Sequence, residues 1–224
     1  MREHRLVLFP GMGADERMYG DLATQVGPIH VPAWLPPMGD LPHYAQNYVD
    51  RGLVRPGDWL GGSSFGGMLA QEIAALIPVR GLLLIGTCRC AREISLPLRH
   101  LAPLFRYLPL PRRSPAPTRQ TQMVSWLLAR KFGVTKPDHR HLLNAIVADA
   151  DPRFIRWAGQ IAGTWAGAVP TTTPTFQIHG RQDRLMPANS TQAETILPDA
   201  GHFIAVTHAQ AVAAWLLRCQ VTID

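Results

Sequence analysis

The sequence predicts an α/β protein built on a mostly parallel sheet of about six strands, flanked by helices. Short apolar runs alternate along the chain with segments of helical periodicity, as in parallel α/β folds. The run at 81–86 is apolar at nearly every position, which is typical of a parallel strand buried on both faces. With 224 residues, 46% of them hydrophobic and 17% charged, the chain has the composition of a globular protein with a sizeable core.

The predicted strands are separated by turn signals and helical segments. Pro10 and Gly11 end the first strand, and the turn at 55–58 precedes the third. The third strand leads through a glycine-rich turn into a helix whose apolar residues recur over 67–77. The six predicted strands cover residues 6–9, 29–31, 58–61, 81–86, 175–180 and 194–197.

The long interval between the fourth and fifth strands is predicted to be helical. Apolar residues recur at helical spacing over 154–165, and shorter stripes of this kind include Met123, Trp126 and Leu127 and the stretch 142–147. We interpret these stripes as core packing within a helical cap. The predicted cap or lid covers residues 91–170, and the predicted core covers residues 1–90 and 171–224.

Residues 62–66 read Gly-Ser-Ser-Phe-Gly, a G-x-S-x-G motif between a predicted strand and a predicted helix. Small residues two positions before and after a serine permit a sharp turn that exposes its hydroxyl at a helix N-terminus. Ser64 is therefore the predicted nucleophile. Ser63 is the alternative, but bulky Phe65 would then occupy a position that needs a small residue. A non-catalytic interpretation is a glycine-rich turn with a solvated serine.

A serine hydroxyl is a weak nucleophile at neutral pH and needs a base and an acid that orients the base. Asp183 follows the fifth strand and His202 follows the last one, so a parallel sheet brings both to the edge where Ser64 lies. Asp199 is the alternative acid. We interpret His179 as a strand-end residue with its own hydrogen bonds. Without a catalytic role, Asp183 would be a turn residue paired with Arg181 or Arg184, and His202 would be a surface histidine beside a turn.

The loop after the first strand, residues 11–13, reads Gly-Met-Gly. An acyl-transfer reaction needs hydrogen-bond donors for its oxyanion, and backbone N–H groups of Met12 and Phe65 are the predicted donors. The same loop lacks the G-x-G-x-x-G and G-K-[ST] patterns of nucleotide-binding loops. A nucleotide site is therefore not expected there.

Taken together, these motifs resemble the α/β-hydrolase fold superfamily, with a Ser64, Asp183, His202 triad of the serine esterase or thioesterase type. The resemblance covers most of the chain outside 91–170. The chain departs from the usual pattern at Pro10, where His is common, and at Ser63, which is often His. Residues 6–9 already match the third strand of larger members, so we expect the N-terminal strand pair of those members to be missing and the sheet to have about six strands.

This resemblance implies cleavage of a carboxylic ester or thioester through an acyl-enzyme on Ser64, without a metal or a cofactor. The alternative is a non-hydrolytic protein of the same fold, such as a C–C or C–N lyase or a small-molecule receptor. An apolar acyl pocket is expected, although core packing would explain each of its proposed lining residues equally well. Those residues are Trp34, Met68, Trp126, Trp157 and Trp165.

The net charge of +6 is concentrated in the predicted cap, where 12 Lys and Arg face 4 Asp and Glu. This surface either attracts an anionic substrate, a coenzyme A or carrier-protein thioester, or an acidic partner, or it is simply solvated. Nucleic-acid binding is not expected, since no recognised motif accompanies the charge.

No apolar run approaches the ~20 residues of a membrane span, and the first ten residues do not resemble a signal peptide. Cys88, Cys90 and Cys219 are too few for a disulfide framework, which favours a reducing compartment. We therefore expect a cytoplasmic protein that acts on a small-molecule substrate and does not span a membrane.

Overall fold

The computed structural model describes residues 4–107, 109–113, 118–219 and 221, and it confirms the predicted fold class. Within these residues, six strands form one sheet: β1 (Leu6–Phe9), β2 (Ile29–His30), β3 (Trp59–Ser63), β4 (Gly81–Ile85), β5 (Thr175–Gly180) and β6 (Thr195–Leu197). Their spatial order is β2-β1-β3-β4-β5-β6, and every neighbouring pair is parallel.

Nine α-helices lie in the same described ranges: α1 (Gly20–Val26), α2 (Leu41–Asp50), α3 (Phe65–Leu76), α4 (Leu96–Leu101), α5 (Arg119–Phe132), α6 (Pro137–Asp149), α7 (Pro152–Thr164), α8 (Ile204–Thr207) and α9 (Ala209–Arg218). Short 3₁₀ segments cover Glu16–Tyr19, Ala91–Glu93, Ala102–Tyr107 and Ala188–Ser190. Helices α4 to α7 lie between β4 and β5, as predicted, and are called the inserted helices below. Residues 108 and 114–117 of the predicted cap lie outside the described residues.

Two hydrophobic clusters cover the two faces of the sheet. In β1, Leu6 and Leu8 belong to the cluster that includes residues of α1 and α9. Val7 and Phe9 belong to the second cluster, with residues of α2 and α3. All four side chains are buried, as expected for a parallel strand covered on both faces.

The inserted helices pack directly on these two clusters. Helices α5 and α6 contribute Ala129 and Leu143 to the first cluster, and α7 contributes Phe154 and Ala158 to the second. Helix α7 also lies against the 3₁₀ segment Ala102–Tyr107. The division into core and cap therefore stays a prediction, since residues of both parts belong to the same two clusters.

The topology of the sheet brings two loops together. Strands β1 and β3 are neighbours, with Phe9 paired to Gly62, whereas β2 lies on the other side of β1. The strand order thus reverses at β1, and in open α/β sheets the carboxyl edge beside such a reversal is where ligands bind. The loop after β1 and the turn after β3 meet at this edge.

Candidate active site

Ser64 occupies the turn between β3 and α3 in a strained backbone conformation. Its φ of 52° and ψ of −122° make it the one non-glycine residue of the described chain with a positive φ. Hydrogen bonds hold the turn: its N–H donates to the Ile85 carbonyl at 3.3 Å, and its carbonyl accepts from the Thr87 hydroxyl at 2.6 Å. Such strain persists only where the surroundings enforce it.

The two glycines of the motif are needed because the backbone passes very close to the end of β1. A Cβ on Gly62 would lie 2.6 Å from the Phe9 carbonyl oxygen and from the Gly66 carbonyl carbon. A Cβ on Gly66 would overlap the carbonyl oxygens of Phe9 and Pro10. Close packing against β1 therefore requires small residues at both positions, as the motif predicts.

The structure brings the three predicted polar residues into one chain of hydrogen bonds. His202 Nδ1 lies 2.6 Å from Asp183 Oδ2, and His202 Nε2 lies 2.9 Å from Ser64 Oγ. An ionised carboxylate only accepts, so Nδ1–H donates to Asp183, and this tautomer presents Nε2 as the acceptor for the Ser64 hydroxyl. This arrangement is the geometry by which a histidine takes a proton from a serine.

Asp183 is surrounded by hydrogen-bond donors. Its Oδ1 accepts from the N–H groups of Leu185 at 2.8 Å and Met186 at 3.0 Å, and its side chain is fully buried. Burial by itself would raise the pKa of Asp183, but His202, His179 and the Met186 amide together lower the pKa well below its ordinary value of 3.8. The carboxylate is therefore held as an anion.

His179 is a second histidine in contact with Asp183. It is fully buried, and its Nε2–H donates to the Met186 carbonyl at 2.7 Å and lies 3.2 Å from Asp183 Oδ2. Its Nδ1 has no hydrogen-bond partner among the described residues. The expectation of a strand-end histidine with its own hydrogen bond is met at Nε2, but sequence reasoning missed the contact with Asp183.

The two alternative residues lie elsewhere. Ser63 is buried at the end of β3, where its Oγ accepts from the Tyr19 hydroxyl at 3.1 Å. The carboxylate of Asp199 is 78% exposed and lies 3.6 Å from His208 Nε2. Neither residue is within hydrogen-bond distance of His202.

The predicted oxyanion donors belong to Met12 and Phe65, two residues that line the same cavity as Ser64. Within the described chain, neither backbone N–H donates a hydrogen bond, since Phe65 begins α3 and Met12 lies in the loop after β1. Their role as oxyanion donors stays a prediction.

An apolar cavity of about 360 Å³ opens at Ser64 and His202. It extends between the sheet edge and the inserted helices, and no Asp, Glu, Lys or Arg is among its described lining residues. Sequence reasoning missed most of this lining. The residues that α5 and α6 contribute are Val124, Leu128, Phe132, Leu143, Ile146 and Val147.

Of the predicted pocket residues, Met68 lines this cavity and the four tryptophans do not. The physical reason is that three of the indole N–H groups are held elsewhere by hydrogen bonds. Trp34 donates to the Ala14 carbonyl, Trp157 to the Gly39 carbonyl and Trp165 to Glu72, at 2.8, 2.9 and 2.5 Å.

Trp126 does not line the cavity for a different reason. It is 55% exposed, and the Arg130 guanidinium lies over its ring. The predicted stripe of Met123, Trp126 and Leu127 is therefore wrong as a core-facing surface, since all three side chains are more than half exposed. The buried side of α5 carries Thr121, Ser125 and Ala129 instead.

Among the described residues, no group of three or more His, Cys, Asp or Glu side chains is arranged to hold a metal ion. No helix in the described ranges combines the length and apolar character that crossing a membrane requires.

A serine in a strained strand-to-helix turn, linked through histidine to aspartate at the edge of a parallel sheet, defines the class of α/β-hydrolase-fold proteins. The chain belongs to the alpha/beta hydrolase family, whose family model matches residues 5–215. A comparison with curated proteins gives no match.

Solved structures with the same fold include proteins named as esterases. A thermophilic esterase from Thermogutta terrifontis is 17% identical with a TM-score of 0.71, covering 96% of this chain and 90% of its own. An esterase from Exiguobacterium antarcticum is 14% identical with a TM-score of 0.73, covering 99% of this chain and 94% of its own. The enol-lactonase from Burkholderia xenovorans LB400 is 15% identical with a TM-score of 0.70, covering 99% of this chain and 93% of its own.

Proposed function

We propose that this protein is a serine hydrolase that cleaves a carboxylic ester or thioester through an acyl-enzyme on Ser64. The observation that carries the proposal is the hydrogen-bonded chain from Ser64 through His202 to Asp183, which opens on an apolar cavity. Similarity in fold to proteins named as esterases and an enol-lactonase supports the same class of reaction.

In the first half of the proposed reaction, His202 Nε2 takes the proton of Ser64 as Oγ attacks the carbonyl carbon. Asp183 keeps the imidazole oriented and stabilises the imidazolium. The N–H groups of Met12 and Phe65 donate to the oxyanion of the tetrahedral intermediate. When this intermediate collapses, His202 returns the proton to the departing alcohol or thiol, and the acyl group stays on Ser64.

In the second half, His202 takes a proton from water, which attacks the acyl-enzyme carbonyl. The same backbone donors stabilise the second oxyanion, and its collapse releases the carboxylic acid while His202 returns the proton to Ser64 Oγ, which regenerates the serine hydroxyl. The cavity is apolar and lacks charged lining residues, so the acyl group it accommodates is an apolar one. The substrate is thus a small molecule.

The protein is proposed to act in the cytoplasm, and its three unpaired cysteines support this setting.

Labelling with a fluorophosphonate probe tests the proposal. The native protein is expected to form a covalent adduct on Ser64, and Ser64→Ala to lose both the adduct and at least about a thousandfold in ester hydrolysis. Ser63→Ala is the matched control, because that neighbouring hydroxyl faces Tyr19 and should be dispensable.

Trapping of an acyl group on Ser64 by mass spectrometry, with a slowly hydrolysed ester, separates an acyl-enzyme from direct attack by water. A native protein that is not labelled would favour the non-hydrolytic alternatives, a lyase or a small-molecule receptor. Equal loss of labelling in Ser63→Ala and Ser64→Ala would contradict the assignment of the nucleophile.

A further inference from the structure

A second cleft lies beside the apolar cavity and differs from it in charge. Its volume is about 570 Å³, and its lining includes four arginines against one carboxylate. Its lining residues are Leu110, Arg112, Arg113, Asp151, Pro152, Arg153 and Arg156. Leu110 and Pro152 also line the apolar cavity, so the two spaces share a wall.

The carboxylate in this cleft is engaged in local structure. Asp151 is the N-cap of α7, where its Oδ1 accepts from the Arg153 N–H at 2.8 Å and pairs with the Arg153 guanidinium at 3.6 Å. Arg112 and Arg113 are exposed, and no carboxylate of the described chain lies within ion-pair distance of either. The cleft therefore carries a net positive charge.

Guanidinium groups pair with carboxylates and phosphates through parallel hydrogen bonds, which lysine ammonium groups do not reproduce. The adjoining cavity has no charged lining residue, so an anion inside it would be desolvated without compensation. An anionic group on a substrate bound at Ser64 would instead be stabilised where the apolar lining gives way to Arg112 and Arg113.

We propose that this arginine cleft binds an anionic group of the substrate, a carboxylate or phosphate, separated from the scissile carbonyl by the apolar cavity. The inference rests on the hydrolase function proposed above and names its substrate class: an acyl ester or thioester that carries a negative charge. The charge lies either at the far end of the acyl chain or on the leaving group, and substrates of each kind distinguish the two.

Three thioesters test the proposal: the octanoyl thioester of N-acetylcysteamine, which is neutral; octanoyl-coenzyme A, with phosphates on the leaving group; and the suberyl thioester of N-acetylcysteamine, with a terminal carboxylate on the acyl chain. We expect kcat/KM for one anionic thioester to exceed that for the neutral one by about tenfold at low salt, with the advantage shrinking as salt is added. The favoured anionic substrate identifies the side that carries the charge.

The double variant Arg112→Ala/Arg113→Ala should remove most of this advantage and leave the neutral thioester within about twofold of native protein. The matched control is Arg51→Ala/Arg218→Ala, which removes the same charge from α9 and the end of α2, outside the cleft. Equal rates for all three thioesters, or equal effects of the two double variants, would overturn the inference.

Binding to Ser64→Ala, measured by calorimetry, keeps this test independent of turnover. The anionic thioester should bind more tightly than the neutral one, and adding Arg112→Ala/Arg113→Ala should abolish the difference. If neither anionic thioester binds more tightly, the inference is wrong. If one does but the native protein hydrolyses none of the three, the arginine cleft stands and the hydrolase proposal fails.

Discussion

At the residue scale, Asp183 depends on donors from three directions: two histidines, and the amides that follow it in the chain. Its lowered pKa means that the ionised form stabilises the folded state above pH 3.8, and that this contribution is lost as the pH falls through the lower folded-state pKa. His179 is the one of these donors that contacts neither Ser64 nor the cavity.

His179→Gln should therefore weaken the interaction of residue 179 with the Asp183 carboxylate without changing any contact with the substrate. We expect kcat for ester hydrolysis to fall roughly ten- to a hundredfold, because the carboxylate no longer orients His202 closely, with little change in KM. With one donor lost, the pKa of Asp183 rises toward its ordinary value, so acid unfolding should occur at a higher pH than in native protein.

The control for this experiment is His141→Gln on the exposed side of α6, which should alter neither kcat nor the acid-unfolding midpoint. Steady-state kinetics and circular dichroism across an acid titration measure the two effects. A rise in KM with kcat unchanged would show that His179 acts on substrate binding instead.

The positions of Ser64, Asp183 and His202 were predictable because each follows a strand of a parallel sheet, and such strand ends share one edge. Their catalytic roles stay predictions. Tryptophan positions were not predictable in this way, since the acceptor that holds an indole N–H can be distant in sequence, as the Gly39 carbonyl is for Trp157.

At the element scale, the loop that carries His202 packs against the end of α5. The His202 N–H donates to the Phe132 carbonyl at 3.1 Å, and the two rings are 5.2 Å apart. Gly201 permits this approach, because a Cβ there would overlap the Phe132 carbonyl. An inserted helix thus contacts the backbone that positions the imidazole.

Gly201→Ala should push this loop away from α5 and pull His202 Nε2 away from Ser64. We expect at least about a hundredfold loss of kcat/KM, since small misplacements of reacting groups are costly. Gly20→Ala is the matched control: no atom lies within 4 Å of a Cβ there, and alanine in α1 should be neutral or stabilising by about 0.5–1 kcal/mol.

Thermal unfolding and fluorophosphonate labelling of both glycine variants separate displacement of His202 from global destabilisation. A Gly201→Ala protein that keeps native labelling would show that the loop absorbs the clash elsewhere.

Helices α3, α5, α6 and α7 were predictable from periodicity, but the buried side of α5 was not. Which of its faces is covered depends on neighbours that are distant in sequence, such as Leu143 on α6.

At the scale of the whole molecule, the cavity exists only where the sheet edge and the inserted helices meet. Neither the sheet edge nor the inserted helices enclose the cavity alone. The sequence motifs therefore predicted the polar residues at its end, Ser64 and His202, but not its apolar lining. Along α5, Phe132, Leu128 and Val124 line it at successive turns, so Val124 lies about 12 Å along the helix axis from Phe132. Phe132 is the member of this row beside His202.

This row is expected to set the length of the acyl chain that the proposed enzyme accepts. Leu128→Trp should lower kcat/KM for long-chain p-nitrophenyl esters at least about tenfold and leave the acetate within about twofold, because a filled cavity excludes only groups that reach the new side chain. Val124→Trp, one turn further from Phe132, should impose the same limit at a longer chain. Leu127→Trp is the control, since Leu127 is 52% exposed on the same helix. If all three variants show the same chain-length profile, the acyl chain does not follow α5.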